Sequence, residues 1–156
     1  MTPSLPIPGG CNCGQVRYRI TAAPLTAYIC HCHLCQKRTG SAFSLQLVLP
    51  AEGLEIVSGE PMVNDRVLPN GQRHTTWLCA ACHSRISTRR EGTPRAILRA
   101  GTLDDTAWLR PVAQIWTASA LPWALLGDDV LSYTGQPADH APMIAAWRAR
   151  DQGRGP

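Results

Sequence analysis

The sequence predicts a mainly β protein made of short strands and hairpins. Thirteen prolines and thirteen glycines among 156 residues are typical of a chain with many turns, because both residues interrupt regular structure. Several short segments also alternate apolar and polar residues, which is the pattern of a strand with one buried face. A chain of this length is most simply one domain and can bury a sizeable core without help from a metal.

The predicted elements begin after a flexible, proline-rich arm at 1–8. Val16, Tyr18 and Ile20 alternate with polar residues and predict a half-buried strand. The polar segment 36–41, which follows a cysteine-rich loop, is expected to form at most one helical turn. Two further strands are predicted at 54–57 and at 43–49, where one face carries Phe43, Leu45, Leu47 and Leu49.

The second half of the chain continues this pattern. Pro69-Asn70-Gly71 is a strong turn signal, which predicts a hairpin of strands at about 62–68 and 72–78. Met143 and Trp147 are four residues apart and would share one face of a helix predicted at 142–150. The remaining predicted strands lie at 85–88, 95–100 and 112–117.

All seven cysteines fall into three tight clusters, which predicts bound metal. They are Cys11-x-Cys13, Cys79-x-x-Cys82 and the run Cys30-His31-Cys32-His33-Leu34-Cys35. Thiolates gathered in this way suit a soft divalent ion such as zinc. Unrelated buried thiols are the alternative, because free cysteine is often a small core residue. The clustering beside glycine, histidine and serine favours metal.

Seven ligands divide most naturally into four and three. The two outer pairs would close a site of four thiolates, which is the structural type, and the central run would leave one coordination position open, which is the catalytic type. The first site would join segments separated by 65 intervening residues and so reduce the entropy of the unfolded chain. The histidines keep this division open, because His33 or His83 could complete or replace a ligand set.

Other residues around the central run are candidates for chemistry. His31 and His33 could ligate, donate to a sulfur or move a proton. Lys37, the only lysine in the chain, and Arg38 could offset the negative charge of the thiolates or bind a carboxylate. Among the tryptophans, which are mostly core residues, Trp116 and Trp123 could wall a pocket.

The net charge of +4 gives little support for a nucleic-acid partner. Seven thiolates on two Zn²⁺ ions would reduce it to about +1, too small for a basic binding face. No signal peptide and no membrane-spanning run of apolar residues are expected. A reducing cytoplasm, which keeps thiols available for metal, fits this cysteine usage best.

Taken in order, these motifs resemble the glutathione-dependent formaldehyde-activating enzyme family, which includes a domain of centromere protein V. The motifs are Gly10-Cys11-x-Cys13-Gly14, Cys30-His31-Cys32-x-x-Cys35-x-x-x-x-Gly40-Ser41 and Cys79-x-x-Cys82-x-Ser84, followed by Ile115-Trp116 and Pro122-Trp123. The resemblance implies an Mss4-like (β-tent) fold of short antiparallel sheets with zinc-binding loops and a short C-terminal helix. It also implies a carbon–sulfur lyase that joins formaldehyde to glutathione as S-hydroxymethylglutathione.

The resemblance assigns roles to individual residues. Two zinc ions are implied: a structural one on Cys11, Cys13, Cys79 and Cys82, and a catalytic one on Cys30, Cys32 and Cys35. By their charge and position, and not by the resemblance, Lys37, Arg38, Gly40 and Ser41 could bind the carboxylates of glutathione, and His31 or His33 could move the proton. The zinc-binding β domain would occupy 9–137, followed by a C-terminal helix and tail at 138–156.

The chain departs from the family pattern at positions that could tune the substrate. His33, His83 and Gln114 stand where serine, glycine and histidine are common. Two other functions therefore remain open: a related lyase that acts on another thiol, and a non-enzymatic zinc module that binds a protein or a nucleic acid. An open coordination position would favour an enzyme, and full four-coordination at both metals would favour the module.

Overall fold

The computed structural model describes residues 2–68 and 71–152, without the side chains of 151 and 152. Its strands are β1 (Ile7–Gly10), β2 (Arg17–Ile20), β3 (Thr26–Cys30), β4 (Ser44–Pro50), β5 (Leu54–Ser58), β6 (Met62–Val67), β7 (Arg73–Leu78), β8 (Arg85–Arg90), β9 (Arg95–Arg99), β10 (Ala113–Ile115) and β11 (Leu131–Tyr133). Its α-helices are α1 (His33–Thr39) and α2 (Ala141–Gln152). The mainly β fold class is thus confirmed.

The chain divides into two compact units, and the single domain expected from its length stays a prediction. One unit contains 25–47 and the segment from Leu109 onward, and the other contains 3–24 and 48–108. Strand β4 belongs to the first unit as far as Leu47 and to the second from Val48. The boundaries predicted near residues 8 and 137 stay predictions, although β1 includes Ile7 and Pro8 of the expected arm.

The second unit contains the antiparallel part of the structure. Strands β1, β2 and β5 form a three-stranded sheet in the order β1-β2-β5. Tyr18 and Ile20 are buried on β2 as predicted, and the Tyr18 hydroxyl lies 2.7 Å from the Thr102 hydroxyl. The structure has a second sheet, and the strands that this unit contributes to it whole are neighbours in the order β9-β8-β7-β6.

The predicted hairpin is present in this second sheet. Strands β6 and β7 pair antiparallel from Met62 opposite Leu78 to Val67 opposite Arg73. Two positions of the predicted turn between them, 69 and 70, lie outside the described residues. β6 is the last strand in the sheet order and is exposed along its whole length.

The first unit contains parallel strands, which the sequence analysis did not predict. Its order is β11-β10-β3-β4, and β10 pairs parallel with both β3 and β11. All five residues of β3 are buried, as expected for a strand covered on both faces. Such a strand lacks the period-2 pattern, and for this reason the sequence analysis missed β3.

Helix α2 covers part of this sheet. Met143 and Trp147 are buried as predicted, and the Thr26 hydroxyl of β3 donates to the backbone oxygen of Met143 at 3.1 Å. The helix begins one residue earlier than predicted, at Ala141. Within residues 2–68 and 71–152, neither helix has the length and apolar character needed to cross a bilayer.

Candidate metal centres

Four cysteines of the second unit form the first candidate metal centre. Cys11 follows β1, Cys13 precedes β2, and Cys79 and Cys82 lie in the connection between β7 and β8. Their sulfur atoms all lie within 4.8 Å of one another, with Cys11 to Cys13 at 3.5 Å and Cys13 to Cys79 at 3.6 Å. Tetrahedral zinc with Zn–S bonds of about 2.3 Å separates its sulfurs by roughly 3.8 Å. The sulfur arrangement therefore fits a zinc ion.

Hydrogen-bond donors surround this centre. The Val16 amide donates to the Cys11 sulfur at 3.2 Å, and the Cys82 sulfur lies 3.2 Å from the Ser84 hydroxyl. The Asn12 amide donates to the same hydroxyl at 3.0 Å and so connects the two cysteine pairs. Donors of this kind stabilise thiolates and orient metal ligands.

The pKa values of these thiols are spread widely. Hydrogen bonds from the hydroxyl and the backbone amide of Ser84 lower the pKa of Cys82 to about 5. The Gln15 amide lowers the pKa of Cys13, but the neighbouring thiols, first Cys11, and burial raise it to about 12. Sulfurs this close cannot all ionise unless a cation neutralises them. The donor set thus has the chemistry of a site for a divalent metal.

His83 occupies a strained position beside this centre. Its φ of 58° is in the left-handed region, and its amide donates to the Cys79 oxygen at 3.0 Å. Glycine adopts this conformation at little cost, so the histidine side chain at this position adds backbone strain that glycine would avoid. Within the described residues, the candidate metal-ligand groups are made of cysteines and contain neither His83 nor His33.

The second candidate centre lies in the first unit, where β3 meets α1. Cys30 ends β3, Cys32 is the N-cap of α1, and Cys35 lies in the first turn of the helix. The three sulfurs lie within 4.8 Å of one another. The Cys35 amide donates to the Cys32 sulfur at 3.4 Å, which is the usual N-cap interaction. The run predicted to be a loop is therefore a strand end followed at once by a helix.

The thiols of the second centre also affect one another's pKa values. The pKa of Cys30 is raised, first by its hydrogen bond with the Cys35 thiol and then by burial. A divalent ion that displaces these protons relieves the repulsion between the thiolates. Cys30, Cys32 and Cys35 would hold such an ion with three thiolates, and three protein ligands are typical of catalytic zinc sites.

The two histidines of the central run lie in opposite environments. His31 is fully buried, its ring nitrogens have no hydrogen-bond partner in the described part of the chain, and its ring meets Phe43 edge-on with centroids 5.8 Å apart. The His31 backbone oxygen accepts from the Gln36 side chain at 2.7 Å and from the Ser119 hydroxyl at 3.1 Å. His33 is exposed at the first position of α1. Only the His33 ring is therefore open to solvent.

The expected substrate-binding residues surround the C-terminal end of α1. Lys37 and Arg38 lie in its last turn, and Gly40 caps it in the left-handed region with a φ of 62°. The Gly40 amide donates to the Gln36 oxygen at 2.9 Å. These residues and Ser41 are exposed, so they are accessible to a soluble anion. Their role in binding stays a prediction.

The segment that follows β10 lies against the second centre. Ile115 is in register with Cys30, and the His31 amide donates to its backbone oxygen at 3.0 Å. Trp116 follows with a φ of 61° and is partly exposed, and Trp123 is 76% exposed. Non-glycine residues in the left-handed region store strain, which is common near functional sites.

Gln114 is buried within the first unit. Its amide nitrogen donates to the Leu126 oxygen at 3.2 Å and to the Ser132 hydroxyl at 2.8 Å, and its oxygen accepts from the Leu126 amide at 2.9 Å. These bonds tie β10 to the segment around β11. Gln114 therefore forms hydrogen bonds through both ends of its side-chain amide, within the interior of the first unit.

The sequence analysis missed Gln46, which touches the second centre. The alternation at 43–49 places Leu45 and Leu47 on one face, with Gln46 opposite. In the structure Gln46 is only 5% exposed, and its amide nitrogen lies 3.5 Å from the Cys35 sulfur. The period-2 pattern contains no signal for this contact, because both faces of β4 are covered at this point.

The structure thus combines a mainly β fold with two all-cysteine clusters, each of which could hold a metal ion. The chain belongs to the glutathione-dependent formaldehyde-activating enzyme family, whose sequence model matches residues 6–119. No curated protein matches the chain. Among solved structures, it is similar to a Rhodobacter sphaeroides protein from a structural genomics programme, with a TM-score of 0.52 and 17% identity, over 81% of this chain and 99% of the other. At this identity, the likeness concerns the fold alone.

Proposed function

We propose that the protein is a zinc-dependent carbon–sulfur lyase that acts on a thiol–aldehyde adduct such as S-hydroxymethylglutathione. The observation that carries the proposal is the cluster of Cys30, Cys32 and Cys35, whose three sulfurs lie within 4.8 Å of one another. Three ligands leave one position of a tetrahedral ion for a substrate sulfur. Membership of the glutathione-dependent formaldehyde-activating enzyme family supports the same reaction class.

The two centres have different roles in this proposal. Cys11, Cys13, Cys79 and Cys82 hold a structural zinc ion, and Cys30, Cys32 and Cys35 hold the catalytic one. When bound, the catalytic zinc would lower the pKa of the substrate thiol and orient its sulfur. The β-tent (Mss4-like) architecture that the family implies is part of the same proposal, as is a reducing, cytoplasmic location that keeps all seven cysteines free.

The residues of the chain bind the thiol and move its proton. Lys37 and Arg38, with the backbone near Gly40 and Ser41, bind the carboxylates of glutathione. In the forward direction the thiol sulfur bonds to the aldehyde carbon, and the proton lost by the thiol returns to the aldehyde oxygen. His33 is the better candidate to carry this proton because it is exposed, whereas the ring of His31 is fully buried.

A direct assay of adduct formation tests the proposed reaction. The purified zinc-loaded protein is mixed with a thiol and an aldehyde, and the adduct is followed by NMR against the spontaneous rate. We expect acceleration with glutathione and formaldehyde, loss of it in Cys32→Ser, and retention in the matched control Leu34→Ser, which changes an exposed side chain on the same helix. Acceleration with another thiol only would identify a related lyase. No acceleration with any pair would refute the enzyme.

A second candidate function is a zinc module that binds a protein. The observation that favours it is β6, an edge strand whose residues are all exposed, with Val63 at 57% and Val67 at 56%. Exposed edge strands can pair with a strand from another chain. Four-coordination at both centres together with no lyase activity would favour this function over the enzyme.

A further inference from the structure

Gln46 is a buried polar side chain whose two ends are both engaged beside the second centre. Its oxygen accepts from the Tyr28 hydroxyl at 2.8 Å, and its nitrogen donates to the Cys35 sulfur at 3.5 Å. Gln46 is 5% exposed and Tyr28 is 1% exposed. A buried amide is costly unless it is hydrogen-bonded, so these two contacts account for its presence in the core of the unit.

The Cys35 sulfur determines which end of the amide faces it, and the Tyr28 hydroxyl then donates to the other end. A metal-bound thiolate has lone pairs and no proton, so it can only accept a hydrogen bond. The amide must therefore present its nitrogen to Cys35 and its oxygen to Tyr28. Tyr28 in turn is held by its position on β3, in which every residue is buried. Tyr28, Gln46 and Cys35 are thus connected by two consecutive hydrogen bonds, which lead from β3 to the candidate metal ligand.

We propose that Gln46 is a positioning residue for the metal ligand Cys35. The inference rests on the proposed function, in which Cys30, Cys32 and Cys35 hold the catalytic metal. Three thiolates around a dication carry about one net negative charge, which a hydrogen-bond donor disperses. The Gln46 donor withdraws electron density from the Cys35 sulfur and fixes its direction. The ligand then stays on the metal while a substrate thiol enters the open position.

Gln114 offers a matched control in the same unit. It is also a buried glutamine, 4% exposed, with both ends of its amide engaged. Its partners are Leu126 and Ser132, not a thiol. Replacing either glutamine with leucine removes a buried amide and its hydrogen bonds, but only Gln46→Leu removes a donor from a metal ligand.

The test uses the full chain with zinc at the four-cysteine centre and Co²⁺ at the three-cysteine centre. The sulfur-to-cobalt charge-transfer band reports the electron density on the ligand sulfurs, and the rate of cobalt release to a chelator reports how firmly they hold. We expect Gln46→Leu and Gln46→Met to move the band to longer wavelength, because sulfur lone pairs rise in energy without the donor. The affinity for cobalt should fall about 10- to 100-fold, the usual effect of losing a hydrogen bond to a metal ligand, and release to the chelator should become faster.

Further variants separate positioning from packing. Gln46→Met keeps about the length of the side chain but has no N–H donor. Tyr28→Phe keeps the Gln46 donor but removes the hydroxyl that holds the other end of the amide. Tyr28→Phe should give a smaller shift in the same direction, and it tests the inference even if Gln46→Leu does not fold. Gln114→Leu should lower the melting temperature. Its charge-transfer band and its rate of cobalt release should equal those of the unchanged protein.

Two results would overturn the inference. If the Gln46 and Tyr28 variants lower the melting temperature but leave band and release rate unchanged, Gln46 is a packing residue. If the unchanged protein takes no cobalt at Cys30, Cys32 and Cys35, the inference and the proposed function fail together. Cobalt binding with the expected shifts but without lyase activity would overturn the proposed function alone and support the role of Gln46.

Discussion

Removing one sulfur from each centre should destabilise the protein by different amounts. Cys79→Ala and Cys32→Ala delete the same atom, but the two centres connect the chain over very different lengths. Cys13 and Cys79 are 66 residues apart, whereas Cys32 and Cys35 are three apart. A cross-link stabilises the folded state mainly by restricting the unfolded chain, and more so when it closes a longer loop.

The loop lengths give a magnitude for the difference. Treated as a cross-link, a closed loop of this longer length is worth about 4 kcal/mol, and one of about five residues is worth about 2 kcal/mol. Since 1 kcal/mol shifts the melting temperature by about 2–4 °C in a chain of this size, the two variants should differ by about 4–8 °C. Cys79 is also fully buried, so the cavity left by its sulfur adds to the loss.

Thermal and urea unfolding of the zinc-loaded variants measure this difference. Cys79→Ala should show the larger loss of unfolding free energy, and a chelator added to the unchanged protein should reproduce most of it. Cys32→Ala should remain folded at room temperature and lose its activity. Equal losses of melting temperature in the two variants would refute the assignment of one structural and one catalytic centre.

Three further predictions concern single measurements. Elemental analysis of protein purified without chelator should give two zinc ions per chain, and one ion would contradict the division into four and three ligands. His83→Gly should raise the free energy of unfolding by about 1 kcal/mol, because His83 is held at a φ of 58°. The control His83→Ala should give no such gain, and an equal gain would mean that the ring, not the backbone, is the cause. Lys37→Ala should raise the KM for glutathione several-fold with little change in kcat, whereas an unchanged KM would remove Lys37 from the carboxylate site.

Local sequence patterns predicted much of the fold. The alternation around Tyr18, the turn signal before Gly71 and the helical spacing of Met143 and Trp147 each identified an element that the structure contains. Such patterns record burial on one face, and they suffice where an element is half covered. The residue types and spacings of the cysteines likewise gave the two ligand groups, because ligand chemistry depends on side-chain identity.

Other features depend on which segments meet in space. The parallel pairing of β10 with β3 and β11 joins segments far apart in the chain, and β3 is covered on both faces and carries no alternation. The contact of the His31 ring with Phe43 and that of Gln46 with Cys35 likewise bring together residues of different elements. A single strand encodes which of its faces is apolar, but the partner that covers the other face comes from elsewhere in the sequence. For this reason the sequence alone determined the candidate metal ligands, and only the tertiary structure determined which side chains contact them.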